Sequence, residues 1–448
     1  MTRVILVRHG ESTSNIAGIV QGRGNLNQPE LQSTLTAKGQ QQATLAGKAL
    51  KNIKFDYAYV SPLVRTQQTA AYIFQEFQTV PKAIADHNLC EIDLELWEGI
   101  DFEKVRLDFP VAYEQWQNQP DQFKLGDRYP IVDLFAQARD FWQETLPKHP
   151  NDTILLVGHS GINRALICTA LGVEIDSYHC LQQYNCAISV LNFQQGQAQL
   201  ESVNVVTHLE PILSSYLPPL KKNHQGVRIL LVRHGETDWN RQKRFQGQID
   251  VPLNPKGEEQ AELTGKFLAN IKIDCAFSSS MLRPKQTAIK ILDPFHSNLD
   301  VLKDLVLSDR LREISHGKWE GKLEAEIVAE FPGELQRWQT EPQVVQMPEG
   351  ENLDQVWQRV AEAWQEIIRS VPVGHTALVV AHDAVNKAIL CQVFGLGTEY
   401  FWTFKQGNGG VSVIDYPLGA EHLPILQTMN VTSHISESVL DQTVAGAL

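Results

Sequence analysis

Two histidines occur 225 positions apart in the same local setting, ILVRHGESTSN from Ile5 and LLVRHGETDWN from Leu230. Each closes an apolar run in an Arg-His-Gly-Glu turn. An imidazole there can present one ring nitrogen forward while a backbone carbonyl holds the other, and the glycine permits the tight turn. Phosphoryl transfer asks for a nucleophile in line with phosphorus, cations or donors around the equatorial oxygens, and an acid for the leaving oxygen. His9 and His234 fit the nucleophile. Arg8 and Arg233 stand beside them, and Arg65 and Arg283 come from VSPLVRTQQTA (from Val60) and SSSMLRPKQTA (from Ser278). Their planar forks match phosphate oxygens. His159 and His382, in LLVGHSGINRALI and LVVAHDAVNKAIL, add a second imidazole able to make a charge-assisted bond when protonated. Glu91 and Glu313, in LCEIDLELWEG and LREISHGKWEG, are the plausible general acids, because like charge on a dianionic substrate raises a carboxyl pKa. Such an acid would protonate the leaving alkoxide and then activate water against phosphohistidine. With this much positive charge from side chains, neither Mg²⁺ nor any other metal or cofactor is expected.

Four motifs recurring in one order define a tandem repeat, extended by VNVVTHL near His208 and MNVTSHI near His434. His9 to Arg65 spans 56 residues and His234 to Arg283 spans 49; the seven extra lie between Gly22 and Gly39, a loop insertion of low entropic cost. The stretch HLEPILSSYLPPLKKNHQG, with three prolines, reads as a linker whose Lys221 and Lys222 are solvated. We therefore expect domains at residues 1–224 and 225–448.

Within each copy, VILVR or ILLVR is an apolar run suited to a strand buried on both faces of a parallel sheet. In the first copy a helix is expected from Thr36, then a strand at YAYVS, then a helix from Pro62. The Trp- and Gln-rich segments 101–146 and 323–370 read as a helical cap broken by prolines. The strands TILLVGH and ALVVAH each feed a helix, so the motifs fall at strand carboxyl ends, where open α/β sheets bind ligands. The expected class is α/β: two three-layer α/β/α domains, each with a mostly parallel sheet flanked by helices and a small helical cap.

The 448 residues suffice for two cores. A net charge of −13 without a basic stripe argues against nucleic acid as partner. Strand-length apolar runs give no membrane span, and the absence of a leader pattern after Met1 points to the cytosol. The six cysteines lack zinc spacing and read as small buried hydrophobes.

Taken together, these motifs resemble the histidine phosphatase superfamily, the group that contains cofactor-dependent phosphoglycerate mutases and fructose-2,6-bisphosphatases, and the resemblance covers nearly all of both halves. It implies His9 and His234 as nucleophiles, Arg8, Arg65, His159, Arg233, Arg283 and His382 as the phosphate pocket, Asn15 and Asn240 as further phosphate donors, and Glu91 and Glu313 as acids. The substrate it implies is a small phosphorylated metabolite. The tandem arrangement is also similar to that of the 2-carboxy-D-arabinitol 1-phosphate phosphatases of photosynthetic organisms, which makes that sugar phosphate a candidate. Asn15 and Asn240 have a plainer reading as helix caps, Trp97 and Trp319 as packing, and His208 and His434 as structural residues of late strands.

Each copy departs from the family pattern. The first has Cys90 where the second has Arg312, and Glu95 where the second has Gly317; the second has Asp383 and Ala384 where the first has Ser160 and Gly161. Both copies keep the principal catalytic residue types, and the second is favoured if only one works. A mutase is the nearest rival, but mutases resembling this family carry a longer insertion between acid and second histidine, whereas these distances are 68 and 69 residues. A chain with one catalytic and one phosphometabolite-sensing domain is the other.

Overall fold

The computed structural model describes residues 1–24, 32–220, 224–293 and 304–444. The tip of the insertion and both linker lysines fall outside them. Two compact units form, Met1–Pro218 and Pro219–Leu448.

The first unit is built on six strands: β1 (Thr2–Arg8), β2 (Tyr57–Val60), β3 (Lys82–Ala85), β4 (Thr153–Gly158), β5 (Ile188–Gln194) and β6 (Gln197–Val205). Their spatial order is β3-β2-β4-β1-β5-β6. The pairs β1–β4, β4–β2 and β2–β3 are parallel, while β5 joins β1 antiparallel and β6 joins β5 antiparallel. Val4, Ile5, Leu6 and Val7 are all buried. Alternate residues of a strand face opposite sides, so a run with every side chain buried needs a layer on each face of the sheet. Helices supply both: Ala37–Leu50 packs on Val64–Phe74, and Pro130–Thr145 on Ser160–Leu171.

The second unit repeats this plan with β7 (Val227–Arg233), β8 (Cys275–Ser279), β9 (Val306–Ser308), β10 (Thr376–Ala381), β11 (Val411–Tyr416) and β12 (Ile425–Val431), in the order β9-β8-β10-β7-β11-β12. Helix pairs Pro255–Leu268 with Leu282–Leu292, and Leu353–Ser370 with Asp383–Val393, cover it. The helix Leu353–Ser370 buries Leu353, Val356, Val360, Ala363, Trp364, Ile367 and Ile368. That three-and-four spacing puts them on one stripe, each larger side chain contributing about 1.5–3 kcal/mol of transfer free energy.

Three expectations change. Pro62 does not open a helix; it precedes the N-cap Leu63 of Val64–Phe74. The cap segments are shorter than expected, because their last helices, Pro130–Thr145 and Leu353–Ser370, belong to the layer against the sheet. This leaves Phe102–Asp108 and Pro110–Asn118 in one unit and Glu324–Glu330 and Glu334–Thr340 in the other. Finally, His208 and His434 lie past the ends of β6 and β12, in helical turns. His208 Nε2 bonds the Cys186 carbonyl at 2.9 Å and His434 Nε2 lies 3.1 Å from Thr264 Oγ1, which suits structural pins. No helix of the described residues is long and apolar enough to cross a membrane.

Candidate active site

Strand register assembles the site. Arg8 is paired with Gly158 and Val60 with Val157, so His9, Ser61 and His159, the residues just beyond, emerge side by side. In the second unit Arg233 pairs with Ala381 and Val380 with Ser278, bringing out His234, Ser279 and His382 together. The imidazole centroids of His9 and His159 are 5.2 Å apart, as are those of His234 and His382.

His9 Nδ1 lies 2.7 Å from the Gly10 carbonyl, and His234 Nδ1 lies 2.7 Å from the Gly235 carbonyl. A carbonyl only accepts, so the proton sits on Nδ1 and Nε2 carries the lone pair. Arg283 Nε–H donates to His234 Nε2 at 3.2 Å, in keeping with that tautomer. The turn depends on glycine: a Cβ on Gly10 would stand 2.4 Å from the Gly39 carbonyl oxygen. Asn185 and Asn408 donate to the carbonyls of His9 and His234, each at 3.0 Å.

The guanidinium groups are tied at one end. Arg8 Nη1 donates to the Gln183 carbonyl at 2.7 Å and Arg233 Nη1 to that of Gln406 at 2.6 Å. Arg65 Nη2 and Arg283 Nη2 donate to the Gly22 and Gly247 carbonyls at 2.9 Å. Among the described residues, the buried Nε atoms of Arg8, Arg65 and Arg233, and Nδ1 of His159 and His382, find no hydrogen-bond partner. An unpaired buried polar group costs about 1–3 kcal/mol, so donors left this way around one histidine form a pocket matched to an anion.

Burial first, and then the neighbouring arginines, hold His9, His159, His234 and His382 well below the usual imidazole pKa. The nucleophile is thereby ready in neutral form. The second histidine is lowered in the same way, so a charge-assisted bond from it requires a proton taken up when an anion arrives. Its other partner is a serine, Ser61 Oγ at 2.8 Å from His159 Nε2 and Ser279 Oγ at 2.9 Å from His382 Nε2.

Asn15 and Asn240 take the helix-cap role. Each side-chain oxygen closes a capping box, accepting from Ser12 N and Oγ in one unit and Thr237 N and Oγ1 in the other, all at 3.1 Å. Asn240 also lines a cavity with Arg233, His234, Gln246, Gly247, Arg283 and Glu313. Trp97 and Trp319 are fully buried among other rings. Glu95 is exposed.

The loop segments that carry Glu91 and Glu313 are pinned by an exchanged pair that motif reading missed. Arg23 Nε donates to the Glu91 carbonyl at 3.0 Å and its Nη2 to Gln137 Oε1. In the second unit the cation comes from the helix instead: Arg359 Nη2 donates to the Glu313 carbonyl at 3.2 Å, beside Gln248 Nε2 at 3.0 Å. Arg23 and Gln248 occupy matching loop positions, so a repeat comparison of charge alone could have found the swap. Ser61 and Ser279 were also legible, as a serine shared by both copies of the arginine motif.

The histidine phosphatase superfamily (branch 1) model matches residues 4–206 and again 229–429. The chain belongs to that superfamily, and its activity is that of a phosphatase. A 2-carboxy-D-arabinitol-1-phosphatase of Triticum aestivum is 29% identical over 97% of this chain and 86% of its own. Phosphoserine phosphatase 1 of Hydrogenobacter thermophilus is 34% identical over 47% of this chain and 95% of its own. Among solved structures, YhfR of Bacillus stearothermophilus is 29% identical, covers 47% of this chain and all of its own, and has a TM-score of 0.43.

Proposed function

We propose that the chain is a metal-independent phosphatase with two histidine phosphatase domains, residues 1–224 and 225–448, that hydrolyses a small phosphomonoester through phosphohistidine. The observation that supports this reading is the imidazole whose Nδ1 is spent on a backbone carbonyl, so that Nε2 carries the lone pair and, in the second unit, faces the Arg283 guanidinium. In the reaction, Nε2 attacks phosphorus and the P–O bond to the alcohol breaks. The leaving oxygen keeps the electron pair and takes the proton of the glutamate carboxyl. Water then attacks the phosphohistidine, giving its proton to that carboxylate. The N–P bond breaks, its pair returns to Nε2, and phosphate departs. Arginine forks hold the equatorial oxygens throughout and supply the charge stabilisation a metal would otherwise give.

A sugar phosphate is the substrate class we favour, with 2-carboxy-D-arabinitol 1-phosphate first to be tried. The wheat relative that bears that name matches across both units, whereas the phosphoserine phosphatase matches about one. The test is a hydrolysis screen over phosphorylated metabolites with and without EDTA and vanadate. Hydrolysis should survive EDTA and be blocked by vanadate, which imitates pentacoordinate phosphorus. Loss in EDTA that Mg²⁺ restores would sink the mechanism, and phosphoryl transfer between positions of one substrate without phosphate release would make the chain a mutase.

A further inference from the structure

In each copy a Gln-Gly loop runs alongside the Trp-Glu-Gly motif, held to it by an exchanged pair of backbone hydrogen bonds. Val20 N donates to the Ile100 carbonyl and Gly99 N to the Val20 carbonyl, both at 2.9 Å; Phe245 N donates to the Lys322 carbonyl at 3.0 Å and Gly321 N to the Phe245 carbonyl at 2.8 Å. This register sets Glu98 against Gly22 and Glu320 against Gly247. Both glycines lie in the left-handed region, at φ +49° and +52°. A Cβ would stand 1.9 Å from Glu98 Oε1 in one and 2.1 Å from Glu320 Oε1 in the other, so the carboxylate comes this close only because the loop has no side chain there.

Each carboxylate takes up the amides of its loop. Glu98 Oε1 accepts from Arg23 N at 2.6 Å, and its two oxygens accept from Gly24 N at 3.2 and 3.1 Å. Glu320 Oε1 accepts from Gln248 N at 2.9 Å and from His316 N at 3.1 Å. Satisfying loop amides is a sufficient reason for a carboxylate to sit there, but it does not account for where the rest of the loop is spent. The Gly22 and Gly247 carbonyls accept from Arg65 Nη2 and Arg283 Nη2 at 2.9 Å, and the Ile249 carbonyl from Arg283 Nη1 at 3.1 Å. The next side chain reaches the acid segment: Arg23 Nε donates to the Glu91 carbonyl and Gln248 Nε2 to the Glu313 carbonyl, each at 3.0 Å. Two different side chains at one place in the repeat thus meet the same acceptor. One short loop holds the phosphate-pocket guanidinium by its backbone and the acid segment by its side chain, with a single glutamate behind both.

We propose that Glu98 and Glu320 are positioning residues that fix the phosphate arginine and the acid relative to each other, acting through the Gln-Gly loop. Without the carboxylate the loop amides lose their acceptor, and Arg65 with Glu91, or Arg283 with Glu313, lose their common support together. Phosphate binding and proton donation to the leaving group then fail as a pair. This inference rests on the phosphohistidine reading above, in which Glu91 and Glu313 are the acids.

The test uses the full chain with both glutamates changed, so that every working copy is covered. Calorimetry reads the Kd of inorganic phosphate. Hydrolysis reads the ratio of kcat on 2-glycerophosphate, whose alkoxide needs a proton, to kcat on p-nitrophenyl phosphate, whose phenolate does not. Since a misplacement of about 1 Å can cost about a hundredfold, Glu98→Ala with Glu320→Ala should weaken phosphate binding at least about tenfold and lower the ratio at least about tenfold. Glu98→Gln with Glu320→Gln keeps an oxygen that accepts the loop amides and should recover the greater part of both losses. Should the alanine pair fail to fold, Glu98→Asp with Glu320→Asp, which draws the carboxylate back by one methylene, takes its place. Weaker phosphate with an unchanged ratio, a lower ratio with unchanged phosphate, no change in either, or glutamine variants no better than alanine would overturn the proposal. A wild type that hydrolyses neither ester, or a His9→Ala, His234→Ala chain that still turns over, would instead bring down the phosphohistidine reading, and the proposal with it.

Discussion

Glu313→Gln keeps the shape of the acid and removes the proton it donates. If Glu313 protonates the departing alkoxide, the change should slow a sugar phosphate by about 10²–10⁴ and p-nitrophenyl phosphate far less. Assays should be run at saturating substrate, because losing a negative charge in the pocket tightens phosphate binding. An acid works only below its pKa, so the wild-type rate should fall as pH rises through the raised pKa of Glu313, and that limb should vanish in the Gln variant. Equal slowing of both esters would show a positioning role instead. At this scale residue type and order were legible because histidine, arginine and glutamate recur in fixed motifs. What was not legible is protonation: the neutral state of His159 and His382 follows from burial beside Arg65 and Arg283.

Elements place these groups through strand register, and register in turn rests on pairs such as Arg228 and Asp415. These face each other across β7 and β11, buried, with two parallel contacts of 2.8 Å. Removing one partner of a buried pair strands the other charge, so Asp415→Ala should cost about 3–5 kcal/mol, read as a loss of thermal stability. The matching Arg3 in β1 bonds Asn192 at 3.1 Å and is partly exposed, so Asn192→Ala should cost much less. Comparable losses would show that burial of the pair does not matter. Continuous apolar strands were readable from pattern alone. The cap was over-read because 101–146 mixes two structural roles: the apolar stripe of Pro130–Thr145 serves the sheet layer, and composition does not say which surface a stripe faces.

Over the whole molecule, the buried histidines set the response to acid. His316 and His434 are lowered by burial to about 3 and His208 to about 4, from 6.5. Below pH 6.5 the unfolded chain takes up protons that these folded groups refuse, so stability should fall as pH drops from 6.5 toward those values. Each group contributes a slope of about 1.4 kcal/mol per pH unit within its window. Glu98, Asp176 and Glu313, with raised pKa values, work in the opposite sense, but they are three groups against these three histidines and the four of the two sites. Thermal unfolding should therefore move to lower temperature between pH 7 and pH 5; a flat profile would contradict the neutral burial of these rings. The tandem plan was the most legible feature of all, since four motifs in one order need no structure to be seen. The different surroundings of Glu91 and Glu313 were not, because substitutions such as Gly161 against Ala384 gain meaning only once the neighbouring carboxyl group is in place.

The unpartnered donors around His9 and His234 have a consequence for how the enzyme behaves as its product accumulates. Inorganic phosphate presents the same oxygens as the ester, so the pocket grips what it releases, and turnover should slow as phosphate builds up around it. Because His159 and His382 are neutral in the free pocket, an arriving dianion should draw a proton onto them from solvent. Phosphate binding followed by calorimetry in two buffers of different ionisation enthalpy should show net proton uptake near neutral pH and tighter binding as pH falls. Equal heats in both buffers would mean that the arginines hold the product unaided. With uptake, hydrolysis becomes coupled to the acidity of its surroundings, and the enzyme is throttled hardest where phosphate is abundant and the pH is low.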